Sequence, residues 1–426
     1  MKKNLLTKAA LAVLATAAGA TAAHAQSAPA APAPTHSTSW TGTVGEDRFG
    51  DARFKMRGRF QYDVLSSELD FGGLPTTDEN GTRSYVRRAF LGVQGRLTEN
   101  WRYKVDFILA PSATSITVDD AFLEYVGDDW SLVIGEHNIT SPLEDRISSL
   151  DIPFMERSSI YSVAGFGRRA GVGVIFGGAN WSASGAVQGD SVNSAETSFA
   201  NNEELNVSGR FTFAPIFETS PEGTQLLHFG VSARQRNAGG TQAFTYEARP
   251  LNGRGGRPLS VSGVGDGGES DTTYGVELAG QYGPFGLTAE YIVLNGETLT
   301  NGEEFEYSGY YVDLSWSLTG ESRSYRGNQG SFGAIVPRRP LGTDGGYGHL
   351  ALAGRYDYID MTDAGIGLAT DTLGEQTAYA IGLDWIPVDH VRFKLNYAHS
   401  EIDYANPGDG ADGEATIISL RSQFDF

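Results

Sequence analysis

Cations recur at every second residue near the start of the chain. Lys55, Arg57 and Arg59 share one parity, with Phe54, Met56, Phe60 and Tyr62 on the other. Arg88, just after Arg87, opposes Ala89, Leu91 and Val93. Arg102 and Lys104 oppose Trp101, Tyr103 and Val105. Guanidinium and ammonium groups gathered on one surface bind anions by charge and directed hydrogen bonds, and guanidinium does so bidentately. Arg146, followed by Ser148 and Ser149, offers similar donors from another stretch. Other chemistries find little support. There is no Cys for a thiolate, and the seven His form neither H-x-x-x-H nor H-E-x-x-H, so no metal or other cofactor is expected. The run from Gly165 to Ala170 has G-x-G-x-x-A spacing, but an alternating strand follows it where a dinucleotide site needs a helix.

A period of 2 predicts strands. Their basic parity cannot face lipid, because each Arg or Lys at the bilayer midplane costs about 2–4 kcal/mol. Lys55, Arg57 and Arg59 together would cost roughly 6–12 kcal/mol by that measure, as much as a whole domain's stability. These side chains are therefore expected inside a water-filled barrel. The same argument turns Phe90, Gln94, Arg96, Asp106, Asp313, Lys394 and Arg421 inward. Trp101, Trp130, Trp181, Tyr282 and Trp385 stand near strand ends, as interfacial girdles require. Tight connections at 98–100, 127–129, 177–180, 283–284 and 387–390 alternate with long ones at 65–83, 139–168, 189–203, 295–305, 359–375 and 401–414. Residues 244–248 also alternate, but counting them would break the order that follows, so 237–271 is taken as one outer loop. The expected fold is an all-β, transmembrane antiparallel barrel of about 16 strands. The connection 319–346 is long although it falls on the short-turn side.

Residues 139–168 lack a sustained period. They mix Asp145, Arg146, Asp151, Glu156 and Arg157 with Ile147, Ile152, Phe154, Met155 and Ile160. A solvated loop rarely carries so many large apolar groups, so this one is expected to fold inward against the wall. The net charge of -20 argues against a nucleic-acid partner without excluding a local basic channel. Mean hydropathy is -0.26, which suits a barrel whose apolar residues are diluted by alternation. Lys2, Lys3, an apolar stretch and Ala23-His24-Ala25 read as a signal peptide over 1–25. Residues 26–50 begin with an Ala- and Pro-rich run that reads as a tether, and 51–426 as the barrel.

The segments RGRFQYD (57–63), RRAFLGVQGRL (87–97), WRYKVDF (101–107), FMERS (154–158), GRRAGVGV (167–174), GYYVDLSWSLTGESRSY (309–325) and VRFKLNYAH (391–399) resemble the phosphate-selective porins O and P. The likeness spans nearly all of the chain after about residue 50. It implies a 16-stranded barrel in the outer membrane of a Gram-negative bacterium, usually a homotrimer, with the third outer loop folded inward as a constriction. It also implies an arginine ladder for phosphate, polyphosphate or chloride, matched here by Arg59, Arg87, Arg88 and Arg102. Relatives most specific for phosphate carry lysines in the constriction loop. The corresponding LEDRISSL (143–150) has none, and Asp145 and Leu150 stand where cations would be favoured. Arg88 and Arg102, on neighbouring strands, are expected to act on one anion.

The reading is a passive anion channel. A weakly selective small-solute porin and a closed structural barrel are the alternatives within the fold. A barrel lipase is the enzymatic one, and it needs Ser and His together on the outer wall. His228 and Ser232 have inward parity, while His399 and Ser400 point to opposite faces.

Overall fold

The computed structural model describes residues 41–43, 53–72, 80–110, 115–193, 204–221, 223–239, 243–251, 256–261, 267–299, 302–343, 345–363, 372–405 and 412–426. The expected signal segment and most of the expected tether lie outside these residues. Sixteen long strands follow in chain order. They are β1 (Arg53–Asp70), β2 (Gly81–Arg96), β3 (Trp101–Ala110), β4 (Thr117–Val126), β5 (Trp130–His137), β6 (Arg169–Gly177), β7 (Trp181–Gln188) and β8 (Leu205–Ser220). Then come β9 (Gly223–Asn237), β10 (Gly268–Tyr282), β11 (Phe285–Thr298), β12 (Glu304–Ser317), β13 (His349–Met361), β14 (Gly374–Val388), β15 (Val391–Tyr404) and β16 (Gly413–Asp425). Each pairs antiparallel with its chain neighbours, and β1 pairs with both β2 and β16, so the ring is closed. A further strand, Thr41–Thr43, lies in the stretch read as a tether. It pairs with Arg53–Lys55, below the point where β16 ends opposite Arg59.

Alternation gives the barrel two unlike faces. Leu123, Ile134, Val172, Phe211, Leu314 and Ile381 are exposed on the outer one. Aromatic contacts ring it near the short turns, with Trp101–Tyr125 at 5.3 Å, Phe285–Trp316 at 5.9 Å and Trp385–Phe393 at 5.4 Å between centroids. A tyrosine group sits toward the other end, where Tyr310 lies 5.8 Å from Tyr356 and 5.5 Å from Tyr358. Exposed apolar surface between aromatic belts matches a lipid-facing wall. The wall is uneven in height. Strands β3–β7 hold 8 to 10 residues and the others 13 to 18.

The connection 138–168 leaves the low wall between β5 and β6. It carries two helical turns, α1 (Leu143–Arg146) and α2 (Ser159–Ala164). Residues 246–248 pair with 259–261 outside the barrel sheet, and Ser260 makes a single bridge to Thr372. This hairpin and α2 bury Tyr246, Leu259, Ile160 and Val163 against Leu65, Ile292, Tyr307, Ile359 and Ile417 of the strands. The long connection on the short-turn side pairs Tyr325–Arg326 with Ser331–Phe332. Its Tyr325 and Phe332 share a second apolar cluster with Leu143, Ile147 and Ile152 of the outer connection. Two segments from opposite ends of the barrel therefore meet in one core.

Candidate functional site

The register of β1–β4 arranges the inward side chains in rows. Arg53 faces Arg96, Arg96 faces Arg102, and Arg102 faces Glu124 at the short-turn end. Next come Lys55, Gln94, Lys104 and Phe122, then Arg57, Gly92, Asp106 and Asp120. Arg59 faces Phe90 in the fourth row and Gln61 faces Arg88 in the fifth. Three arginines side by side are unfavourable unless something negative joins them, since directly opposed like charges destabilise a sheet. A cavity of about 910 Å³ lies against Lys55, Arg96, Arg102, Lys104 and Phe122. A smaller one, about 180 Å³, adjoins it at Lys55 and Gln94 and is bounded by Arg57, Arg59, Phe90 and Leu150.

Two bulges sharpen this arrangement. The β1–β2 register shifts between Gln61 and Tyr62, opposite Arg87. Consecutive residues of a regular strand point to opposite faces, and the extra residue relaxes that rule. Arg87 reaches Glu156 and Arg88 donates to Gln61 at 3.0 Å, both on the lumen side. A second shift beside Asp106 lets both Asp119 and Asp120 engage Arg168, at 3.4 Å and 2.9 Å. Gly92 leaves space for the Asp106 carboxylate, because a Cβ there would stand 2.0 Å from Asp106 Oδ1. That carboxylate lies 3.4 Å from Arg57 Nε and 3.4 Å from Lys104 Nζ. Lys104 also pairs with Asp120.

Charge balance separates this wall from the rest. Among the described residues, Arg53, Lys55, Arg59, Arg88, Arg96 and Arg102 have no acid within ion-pair distance. On β8–β16 the arginines are consumed, whereas Arg146, Arg157 and Arg323 of the connections bond backbone carbonyls. Arg210 holds Glu277 at 2.7 Å, Arg236 holds Asp271 at 2.7 Å, and Arg421 holds Asp63 at 2.8 Å. Arg355 bridges Asp313 at 2.7 Å and Glu144 at 2.6 Å. The chain is acidic overall, yet β1–β3 present a local excess of positive charge.

Residues 138–168 are hydrogen-bonded to several of the strands. Arg59 Nη1 donates to Ser149 Oγ at 3.1 Å, and Gln61 Nε2 to the Ser149 carbonyl at 3.3 Å. Arg87 grips Glu156 with two 2.8 Å bonds, and Arg421 adds a third at 3.0 Å. Burial would raise the Glu156 carboxyl, but Arg87 overrides it and holds the group well below the usual carboxylate range. Across the barrel Glu290 accepts the Leu143 and Glu144 amides at 2.9 Å and 2.7 Å. Lys394 Nζ donates to the Ile152 carbonyl at 2.7 Å. Tyr161 donates to Asp145 at 3.0 Å, and burial together with that carboxylate pushes the phenol up to about 12.

Of the residues singled out from sequence, Lys55, Arg57, Arg59, Arg88, Arg102, Lys104 and Ser149 lie along one wall. Arg87 is held by Glu156 and is not free. Arg146 turns away, donating to the Asn138 carbonyl at 3.3 Å. Ser148 Oγ accepts the Leu150 amide at 3.3 Å within its own turn. Arg102 stands opposite Arg96, eight residues along β2 from Arg88. At about 3.4 Å per residue that is roughly 27 Å, so Arg88 and Arg102 do not share one anion. Arg53, Arg96, Phe90 and Phe122 were not placed in the site from sequence. Arg96 was detectable, since the tight turn at 97–100 forces it to face Arg102. The lipase pairing fails on geometry, because His228 is buried and its Nδ1 lies 2.6 Å from Tyr325 Oη.

The family model of the phosphate-selective porins O and P matches residues 54–426. An uncharacterized protein of Caulobacter vibrioides is 32% identical over 390 residues, covering 88% of this chain and 75% of that one. Porin O of Pseudomonas aeruginosa is 27% identical over 403 residues, covering 87% and 88%. Among solved structures, the anion-selective porin from Comamonas acidovorans superposes with a TM-score of 0.52 at 11% identity, covering 88% of this chain and all of that one. The chain belongs to the phosphate-selective porin O and P family and is an anion porin of the Gram-negative outer membrane.

Proposed function

We propose that anions cross the barrel along the cation rows of β1–β3. In this reading residues 138–168 fold into the lumen and set the narrowest point near Ser149. The observation that carries it is the run Arg53, Lys55, Arg59, Arg96 and Arg102 beside two cavities, continued by Arg88, all without an acid at ion-pair distance among the described residues, while the arginines of β8–β16 are paired. Arg57 and Lys104 add charge softened by Asp106. Passage is passive, and several moderate sites release an anion more readily than one deep site. Chloride and phosphate are the small anions expected, with polyphosphate as an extended one. Leu150 borders the smaller cavity where phosphate-specific relatives place cations, so chloride and phosphate compete nearly evenly. Arg87, Arg146 and Ser148 serve the shape of the loop, and no catalytic role is assigned.

The assembly is a homotrimer in this reading, with the low wall β3–β7 as the contact face and the higher strands toward lipid. Residues 1–25 are a removed signal peptide and those following, up to about residue 40, a tether. The deciding experiment is the reversal potential of the purified protein in a planar bilayer under a KCl gradient, with phosphate added as blocker. A chloride-side reversal is expected, and a cation-side reversal overturns the pathway.

A further inference from the structure

Two phenylalanines interrupt the cation rows on the lumen parity. Phe90 faces Arg59, whose guanidinium lies 4.5 Å over its ring, so that ring has a structural task. Phe122 faces Lys104 and has no aromatic or cation–π partner among the described residues. It is half-buried and borders the larger cavity together with Lys55, Arg96, Arg102 and Glu124; Phe54 and Tyr103 border it too, but of these three aromatic residues only Phe122 has lumen parity. In the smaller cavity the apolar surface comes from Phe90, Leu150 and Phe426, beside the unpaired Lys55 and Arg59, with Asp106 and Asp425 also on its border. Each cavity thus couples unpaired cations to an apolar surface.

Chloride or phosphate gains nothing from such a surface, because a strongly hydrated ion loses water beside it without recompense. An anion with a flat apolar body fits both parts. Its carboxylate takes a guanidinium bidentately and its ring stacks on phenylalanine. The larger cavity also falls in the range of about 300–1,000 Å³ that organic ligands occupy.

We infer that the pathway selects aromatic monocarboxylates over aliphatic ones of equal charge, and over inorganic phosphate. The inference rests on β1–β3 being the conduction path. Phe122 is its specificity residue, acting on the ligand's ring while the cations act on its charge.

The test is single-channel block of chloride current by benzoate, acetate and phosphate, on the wild type and on Phe122→Ser and Phe122→Leu. Benzoate should half-block at a concentration about threefold to tenfold below acetate, the discrimination of one aromatic contact, and below phosphate as well. Phe122→Ser should bring benzoate and acetate together, while Phe122→Leu keeps part of the gap. Equal block by benzoate and acetate in the wild type overturns the inference, and this arm needs no variant to fold. A gap that survives unchanged in Phe122→Ser overturns it too. If the wild type shows no chloride preference, the pathway itself fails, which is a different result from a chloride-selective channel indifferent to the ring.

Discussion

Neutralising the two cations that flank Gln61 tests the proposed pathway beside Ser149. Arg59→Gln with Arg88→Gln keeps hydrogen-bond donors near Ser149 and Gln61 while removing two charges. Neither arginine has an acid partner among the described residues, so no carboxylate is orphaned by the change. An anion about 4 Å from one cation gains roughly 1 kcal/mol in bulk water and roughly 4 kcal/mol at an effective dielectric of 20. The lining is partly wet, so the lower half of that range applies. About 1–2 kcal/mol per site corresponds to roughly a fivefold to thirtyfold fall in local anion occupancy. The reversal potential in a KCl gradient should move towards the cation side, and half-block by phosphate should need correspondingly more anion. The effect should shrink at high salt, as the screening length falls from about 8 Å at physiological strength to about 3 Å at 1 M. A folded double variant with the wild-type reversal potential would refute the reasoning. A charge-neutral control is Arg169→Gln with Glu204→Gln, which removes a pair that no other ion shares and should leave selectivity unchanged.

Three further outcomes are expected. Deleting residues 141–151 should raise single-channel conductance, and unchanged conductance in a folded barrel would place the loop outside the lumen. Because that deletion also leaves Glu290 without the amides it accepts and Arg355 without Glu144, it should lower the temperature of heat-modifiable gel mobility. The Glu156 anchor is held below its unfolded value, so its contribution is present above about pH 4.3 and is lost only as acidity reaches the depressed folded pKa. Glu156→Gln should therefore lower the temperature of heat-modifiable gel mobility by a similar amount from pH 7 to about 4.5, and an effect that vanishes near pH 6 would argue against this anchor. Gly92→Val should reduce assembly of folded protein on semi-native gels, since its Cβ would meet the Asp106 carboxylate at 2.0 Å and the Val105 carbonyl at 2.4 Å.

The barrel was legible in the sequence because lipid makes parity a strict rule. A strand with Arg at every second residue has only one orientation that avoids a cost of several kcal/mol. That set the two faces of β1–β3, while the alternation of short and long connections led to the even strand number and kept 246–248 out of the ring, although β9 and β10 take in Asn237 and Gly268–Asp271 from the stretch read as loop. Height along a strand is a different quantity, and parity is silent on it. The hydrogen-bonded register sets Arg102 beside Arg96, as the tight turn at 97–100 requires, and separates both from Arg88 by about 27 Å. A bulge, invisible to a period-2 reading, let Arg87 face Glu156 while its neighbour Arg88 met Gln61. The division of the lumen's cations also belongs to tertiary structure. Arg421 and Arg59 read alike in sequence, but Asp63 lies across the barrel seam in contact with one, and no acid reaches ion-pair distance of the other among the described residues. Whether a cation binds a passing anion or a neighbouring wall depends on which side chains closure brings within about 4 Å, and residues more than 350 positions apart meet there only after β16 has paired with β1.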